Sequence, residues 1–452
     1  MSAVAPLIEP LHGIKPVDAF RALRSLPHCV WLDSARQEPR GRFSILAADP
    51  IAVIRAEPFG SLAAWFAKAQ PVPVSDIQFS GGAAIGFFGY ELKNQLEKLP
   101  QKAADDTGMP QSWWGIFDVL VVFDHTTEQA WLVSTGLTAQ GKRENARAEK
   151  RAGKFLRVMS SRTRTTTRTT TSEPRSSFTR EQYLAAVRRA KDYIAAGDVY
   201  QINLSQRFEC RAAAPLDVAQ QTALYLNLRE TNPAPFAAFL DIGDATILSS
   251  SPECFLDIND RAVRTFPIKG TRPRGATSEE DARLAQELRG SKKDHAELVM
   301  IVDLERNDLG RVCEFGSVRA PNIARVESYA TVHHLVATVE GKLSEGVSHL
   351  DCIRACFPGG SITGTPKIRA MEIIDELEPC ARGVYTGAVG IIGFPHGGEH
   401  QQTTLNIAIR TMTVKGNRVL FHSGGGIVAD SEPAAEYEET LHKARGLMEA
   451  LR

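Results

Sequence analysis

No CxxC pair occurs among the seven cysteines, Cys29, Cys210, Cys254, Cys313, Cys352, Cys356 and Cys380. Their odd number argues against a closed set of disulfides. Cys352 and Cys356 can share a helical face, but two thiols without further partners make a poor zinc centre. The expectation is reduced thiols in a cytoplasmic protein. Net charge is missing too: Lys+Arg and Asp+Glu both number 53, for a formal balance of +0. That balance makes no case for a nucleic acid or an anionic membrane as partner. No apolar run reaches the ~18 residues of a membrane span. Residues 1–16 lack the basic start and apolar core of a secretory leader. What remains is a 452-residue chain of globular composition, 43% hydrophobic and 23% charged. It is long enough for two or three ordinary domains or one large α/β body.

One segment lacks large apolar side chains altogether: "SSRTRTTTRTTTSEPRSS", residues 160–177. It cannot bury itself and reads as a solvated linker. It separates an N-terminal region, 1–159, from a longer region, 178–452. Before it, "FSGGAAIGFFGYEL" (79–92) mixes small and aromatic residues, as expected where strands approach closely, and residues 118–135 form a hairpin pattern. After it, Tyr183, Val187, Ala190 and Ile194 recur at helical spacing, with Thr179 as N-cap and Gly197 as stop. The following strand, "VYQINLSQRFEC", puts Gln201, Asn203 and Ser205 on one face. Further helices are expected near 278–311, 366–377 and 433–451. Strands predominate, so the fold class is α/β (α+β), a single body of two mostly antiparallel sheets flanked by helices.

Several stretches can carry chemistry. In "RTFPIKGTRPRG" (264–275), Lys269 sits among Arg264, Arg272 and Arg274 in a Pro- and Gly-punctuated segment that should bend. Nearby cations and burial both lower a lysine pKa and raise its nucleophilic fraction, while a solvated loop lysine is the plainer reading. Asp294 and Glu297 lie three apart on one helix, beside a stripe of Leu298, Ile301, Val302 and Leu309. Glu436 and Glu439 do the same on another, beside Leu441, Ala444, Met448 and Leu451. Facing carboxylates suit Mg²⁺, although acids at this spacing are usually just solvated. "FPGGSITGTPKIRAMEIIDELEP" (357–379) has Thr365 where a triphosphate loop needs lysine, so it fits a smaller anion at best. Gly424, Gly425 and Gly426 follow a strand and permit close approach to a flat ligand. Arg410, a cation in an apolar strand, wants either a structural ion pair or a ligand carboxylate. His334 is either packed or catalytic.

Together these segments resemble the chorismate-utilising enzymes, the large components of anthranilate and aminodeoxychorismate synthases and the isochorismate and salicylate synthases. The resemblance runs over residues 178–452 through "SPE" (251–253), "PIKGTRPRG", "AELVMIVDLERNDLGRV", "RGVYTGAVG", "IAIRTM", "GGGIVADS" and "EYEETLHKA". It is looser before, through "LDSARQEPRGRFSILAADP". Lys269 stands where anthranilate synthases have alanine, as in the aminodeoxychorismate branch, where this lysine is a nucleophile. The hydrating branches carry a water-activating lysine where this chain has Gln201, and an amide cannot act as that base. The implied reaction converts chorismate and ammonia to 4-amino-4-deoxychorismate, on the way to p-aminobenzoate and folate. The implied catalytic residues are Lys269, Glu253 as acid and His334 in support. Gly270, Thr271, Ser361, Tyr385, Arg410 and Gly424 to Gly426 would bind substrate. Glu297 and Glu439, with Asp294 and Glu436 behind, would hold Mg²⁺. No cysteine lies in a glutaminase nucleophile motif, so ammonia would come from a separate glutamine amidotransferase subunit. The alternatives are an anthranilate synthase component or a non-catalytic binding subunit. Family members can hold tryptophan near a segment like 32–35, which makes Ser34 a regulatory-ligand candidate.

Overall fold

The computed structural model describes all residues except 1–3, 36–39, 74, 76, 162–169, 329–331 and 397–399. The strand Val119–Asp124 shows how the layers arise. Val119, Val121 and Phe123 join one buried cluster, and Leu120 and Val122 join another. Side chains alternate with period two, so a strand apolar on both faces must lie between two layers. The strand belongs to a 12-stranded sheet that faces a 10-stranded one. Between them lies a core that includes Val30, Ile45, Ile85, Phe87, Trp113 and Ile247. The helices Pro16–Leu23, Asn145–Met159, Val218–Thr231 and Pro433–Ala450 cover the outer face of the larger sheet. Pro58–Lys68, Lys292–Gly310 and His349–Cys356 cover the smaller one. This is the expected architecture.

The two regions either side of the Arg/Thr tract do not fold apart. Val30–Asp33 pairs with Phe236–Asp241, and Ala83–Phe88 pairs with Ala388–Gly393, so both sheets contain strands from both regions. Close approach was readable in advance: a Cβ on Gly86 would lie 2.0 Å from the Trp113 carbonyl oxygen. The tract itself is only partly a linker. Its residues 162–169 lie outside the described set, but Arg175 and Ser176 pair with Glu209 and Phe208. Ser172 N–H donates to Arg211 O at 2.8 Å and Ser177 N–H to Arg207 O at 2.7 Å. A chain with no apolar side chains still docks by satisfying the open edge of a strand.

Three local expectations change. Residues 264–275 do not turn away: Ile268–Pro273 is a strand paired with Val332–Lys342, and its register shifts between Lys269 and Thr271. The helical stretch 278–311 is two helices, Ser278–Gly290 and Lys292–Gly310, broken where the Ser291 hydroxyl caps Asp294 N–H. In the last helix the buried positions are Glu436, Thr440, Ala444, Leu447 and Ala450, while Leu441 and Met448 are half-buried. Polar anchors set that rotation, because Gln206 donates to Thr440 Oγ1 at 2.6 Å and Ser423 donates to Thr440 O at 2.7 Å. No helix among the described residues is long and apolar enough to cross a membrane. All seven cysteines are free thiols, and burial pushes Cys29 and Cys313 up to about 12.

Candidate active site

The register shift in Ile268–Pro273 is a β-bulge at Gly270, whose φ is +70°. Any Cβ there would meet Asp294 Cγ and Leu288 Cδ1 at 2.8 Å. The bulge lets the strand bend under the helix and re-aims the side chain before it. Lys269 is the residue re-aimed. On the partner strand, the buried His334 lies opposite Thr271, with Thr271 Oγ1 and His334 Nδ1 2.9 Å apart.

Lys269 meets Glu253 across Ser361. The Lys269 amine donates to Ser361 O at 3.4 Å, and the Ser361 hydroxyl donates to Glu253 Oε1 at 2.8 Å. Burial lowers the pKa of Lys269, Glu253 pulls it back, and Lys443 lowers it further. Burial likewise raises the pKa of Glu253 against the opposing pull of Lys269 and the Ser361 hydrogen bond. Both shifts favour the neutral forms, a free amine beside a protonated acid. The neighbouring arginines are not the cause. Arg264 is 3.8 Å from Glu340, Arg272 is 2.7 Å from Glu287, and Arg274 is 2.7 Å from Asp281. Each is neutralised away from the amine, so the sequence crowding of cations was misleading.

The carboxylates gather beside this pair. Burial raises the pKa of Glu297, and Asp294 and Glu439 add to the rise. At Glu439 burial is the largest cause, but Lys443, 2.7 Å away, together with Lys293 and Lys269 holds the pKa down. Glu436 is buried, its pKa is raised mainly by burial, and it accepts a 2.6 Å hydrogen bond from Ser431. A Cβ on Gly425 would sit 3.3 Å from Glu436 Oε2 and 3.6 Å from Glu439 Oε1, so only glycine leaves that space open. Asp294 differs from expectation in its partner: it lies 3.3 Å from the Arg272 guanidinium. Among the described residues no group of three His, Cys, Asp or Glu side chains forms a protein-only metal cage. Two carboxylates bordering an open glycine cradle still fit Mg²⁺, which typically takes one or two carboxylates plus substrate and water.

Arg410 answers its own question. Burial lowers its pKa, Glu253 is its electrostatic partner, and no ion pair forms between it and any described carboxylate. Its φ of +49° is left-handed, a strained state for a non-glycine residue, of the kind that persists where the surroundings enforce a side-chain direction. Tyr385 stacks on His422 with centroids 5.0 Å apart. The adjoining Thr386 N–H donates to Ala408 O at 2.9 Å, tying the Tyr385 segment to the strand end that leads to Arg410. Its half-buried guanidinium makes no ion pair among the described residues and can take an anionic ligand.

A family model described as chorismate binding enzyme matches residues 27–449. This chain belongs to that family. Aminodeoxychorismate synthase component 1 of Bacillus subtilis is 37% identical over 95% of this chain and 92% of that protein. Anthranilate synthase component 1 of Streptomyces coelicolor is 40% identical over 98% of this chain and 89% of its own length. The crystal structure of anthranilate synthase component I from Streptococcus pneumoniae superposes with a TM-score of 0.78 at 32% identity, covering 91% of this chain and 93% of that one. Both names occur at comparable identity.

Within this chorismate-binding chain, Ser34 stands apart from the other candidates. Its hydroxyl donates to Phe43 O at 2.6 Å, and it lines a cavity of about 540 Å³ with Phe236, Val389 and Asn406 that contains none of the reactive residues. A larger groove of about 1770 Å³, along the Val299, Asp303 and Asn307 side of the Lys292–Gly310 helix, also contains none of them. Volume therefore does not locate this site. Sequence reasoning missed Lys443, which donates to Gly424 O at 3.1 Å and faces Lys269, Glu253 and Glu439 electrostatically. Its spacing of four from Glu439 was the available signal.

Proposed function

We propose that this enzyme is the chorismate-converting component of an aminodeoxychorismate synthase. The observation that carries the reading is the half-buried Lys269 amine, separated from the buried Glu253 only by Ser361. A lysine whose pKa burial lowers offers more free amine to attack carbon, and a carboxyl whose pKa burial raises is better able to protonate a poor leaving group. Lys269 forms a C–N bond at C2 of chorismate, both ring double bonds shift, and the C4–O bond breaks. Glu253 gives its proton to the departing hydroxyl, which leaves as water. The adduct nitrogen returns a proton to Glu253. Ammonia then attacks C4, both double bonds shift back, the Lys269 amine departs with that proton, and the new C4 ammonium returns one to Glu253. The sum is chorismate plus ammonia to 4-amino-4-deoxychorismate plus water.

Arg410, Tyr385 and the amides of Gly424 to Gly426 would hold substrate carboxylate oxygens. Gly270 and Thr271 would border the ring, with His334 near the leaving group. Mg²⁺ would be held by Glu297 and Glu439, with Glu436 behind them, and when bound would neutralise the ring carboxylate. Its attraction also offsets the repulsion among these acids. The name "component 1" carried by relatives supports a partner subunit, and a glutamine amidotransferase supplying ammonia is the partner this chemistry calls for. The test is product analysis with chorismate, Mg²⁺ and ammonium chloride. Aminodeoxychorismate supports the reading. Anthranilate with pyruvate would move the chain to the other branch, and unconverted chorismate would leave a binding subunit.

A further inference from the structure

The mechanism above makes no use of the most completely bonded cation in the described chain. Arg382 spends all its N–H donors inside the protein. Nε donates to Glu378 Oε2 at 2.8 Å and Nη2 to Glu378 Oε1 at 2.7 Å. Nη2 also donates to Asn203 O at 2.6 Å, while Nη1 donates to Ile362 O at 3.1 Å and Thr386 Oγ1 at 3.2 Å. The guanidinium lies over the Tyr90 ring at 4.6 Å and near that of Tyr385 at 5.7 Å. Glu378 is fixed in turn by the Ser205 N–H at 2.8 Å and hydroxyl at 2.9 Å.

These contacts join the two ends of the site. Ile362 closes the turn Gly360–Ile362, whose Ser361 holds both Glu253 and Lys269. Thr386 follows Tyr385 and is itself held at a left-handed φ of +59°. A buried ion pair is a weak device for stability, because apolar residues of like volume often serve as well. Five donors in a rigid plane are a strong device for geometry, and a lysine offers three at most. We propose that Arg382, braced by Glu378, is a positioning residue that sets the span between the Ser361 turn and Tyr385. It thereby fixes the acid–amine pair relative to the carboxylate-binding end. The inference rests on the function proposed above.

The test compares wild type, Arg382→Lys and the charge-neutral Arg382→Met/Glu378→Gln, with chorismate and ammonium chloride, below each melting midpoint. The double variant leaves no uncompensated buried charge and keeps an acceptor for Ser205, so it provides a folded comparison even where the lysine variant is unstable. Both should lose about 100-fold in kcat, the scale of an ångström of misplacement, with a several-fold higher KM for chorismate. The high-pH limb of kcat should move upward, because a loosened Ser361 no longer stabilises ionised Glu253. A folded variant with wild-type kcat and KM and an unmoved limb would overturn the positioning role and leave Arg382 merely structural. A wild-type protein that leaves chorismate unconverted would overturn the proposed function, and this inference with it.

Discussion

Ser361 presents its hydroxyl to Glu253 at 2.8 Å and its carbonyl oxygen to Lys269 at 3.4 Å, so one residue spaces the acid from the amine. If Lys269 is the nucleophile, chorismate without ammonia should leave a covalent adduct on it, visible in the intact mass and placed by peptide mapping. Lys269→Ala should lose the adduct and most of the turnover. Lys269→Arg should not recover it, since a guanidinium stays protonated. Wild-type turnover in Lys269→Ala would reject the assignment.

The pH dependence follows from the two shifts. Adduct formation needs a free amine, so it fails as pH falls through the lowered pKa of Lys269, and it needs protonated Glu253, so it fails as pH rises through that raised pKa. Glu253 is the chief group opposing the burial-driven drop at Lys269. Glu253→Gln should therefore move the acid limb to lower pH while slowing the reaction by about 10²–10⁴-fold, the usual worth of an acid catalyst. An acid limb that stays in place would show that the pair is not coupled.

Glu297→Gln and Glu439→Gln each keep shape and remove one anion. Each should abolish Mg²⁺-dependent turnover and weaken Mg²⁺ binding by calorimetry, with little change in melting. The second should also free Lys443 from its 2.7 Å partner. Full activity of either variant at limiting Mg²⁺ would remove that residue from the metal site.

Much of this was legible in the chain because local rules and tertiary needs agree. Thr179 caps its helix in a full box with Gln182, and Leu298, Ile301, Val302 and Leu309 are buried as their spacing requires. The failures occur where a distant partner decides. The bulge at Gly270 tolerates no side chain because Asp294 and Leu288, from distant helices, crowd it. The last helix is rotated by Gln206 and Ser423, which no periodicity within that helix reveals. Arg264, Arg272 and Arg274 look like a field around Lys269 until their carboxylates appear from a neighbouring strand and a following helix. Ion-pair partners chosen across the fold leave no mark in a local window.

Asp106 bridges the N-terminal region to the larger sheet. It accepts from Arg207 at 2.5 and 3.0 Å and from Arg418 at 2.8 Å, and the Arg207 hydrogen bond is the main cause holding its carboxyl well below the usual range. A folded pKa below the unfolded ~3.9 means stabilisation that is complete above that value and lost as pH falls towards the folded one. The side chain is 44% exposed, so solvent screening limits the effect to about 1 kcal/mol. Asp106→Asn should melt a few degrees below wild type at pH 7, with the gap shrinking below about pH 4. A gap that persists unchanged into acid would point to packing instead.

Adjacent glycines should separate fold from function. A Cβ on Gly424 would lie 2.5 Å from the Leu204 carbonyl oxygen, an atom fixed in the ladder between Gln201–Arg211 and Arg418–Ile427. Backbone cannot yield as a side chain can, so Gly424→Ala should melt lower by the amount typical of overpacking, about 1–3 kcal/mol. A Cβ on Gly425 would instead point at Glu436 and Glu439 from 3.3 and 3.6 Å, a tolerable contact for the fold. It would occupy the opening that the proposed cation and substrate carboxylate need. Gly425→Ala should thus melt close to wild type yet lose chorismate turnover and Mg²⁺ affinity together. The discriminating measurement is the pair of melting curves set beside the pair of activities. Equal stability losses with retained activity at Gly425 would show that the space above the two glutamates is not where the ligand sits.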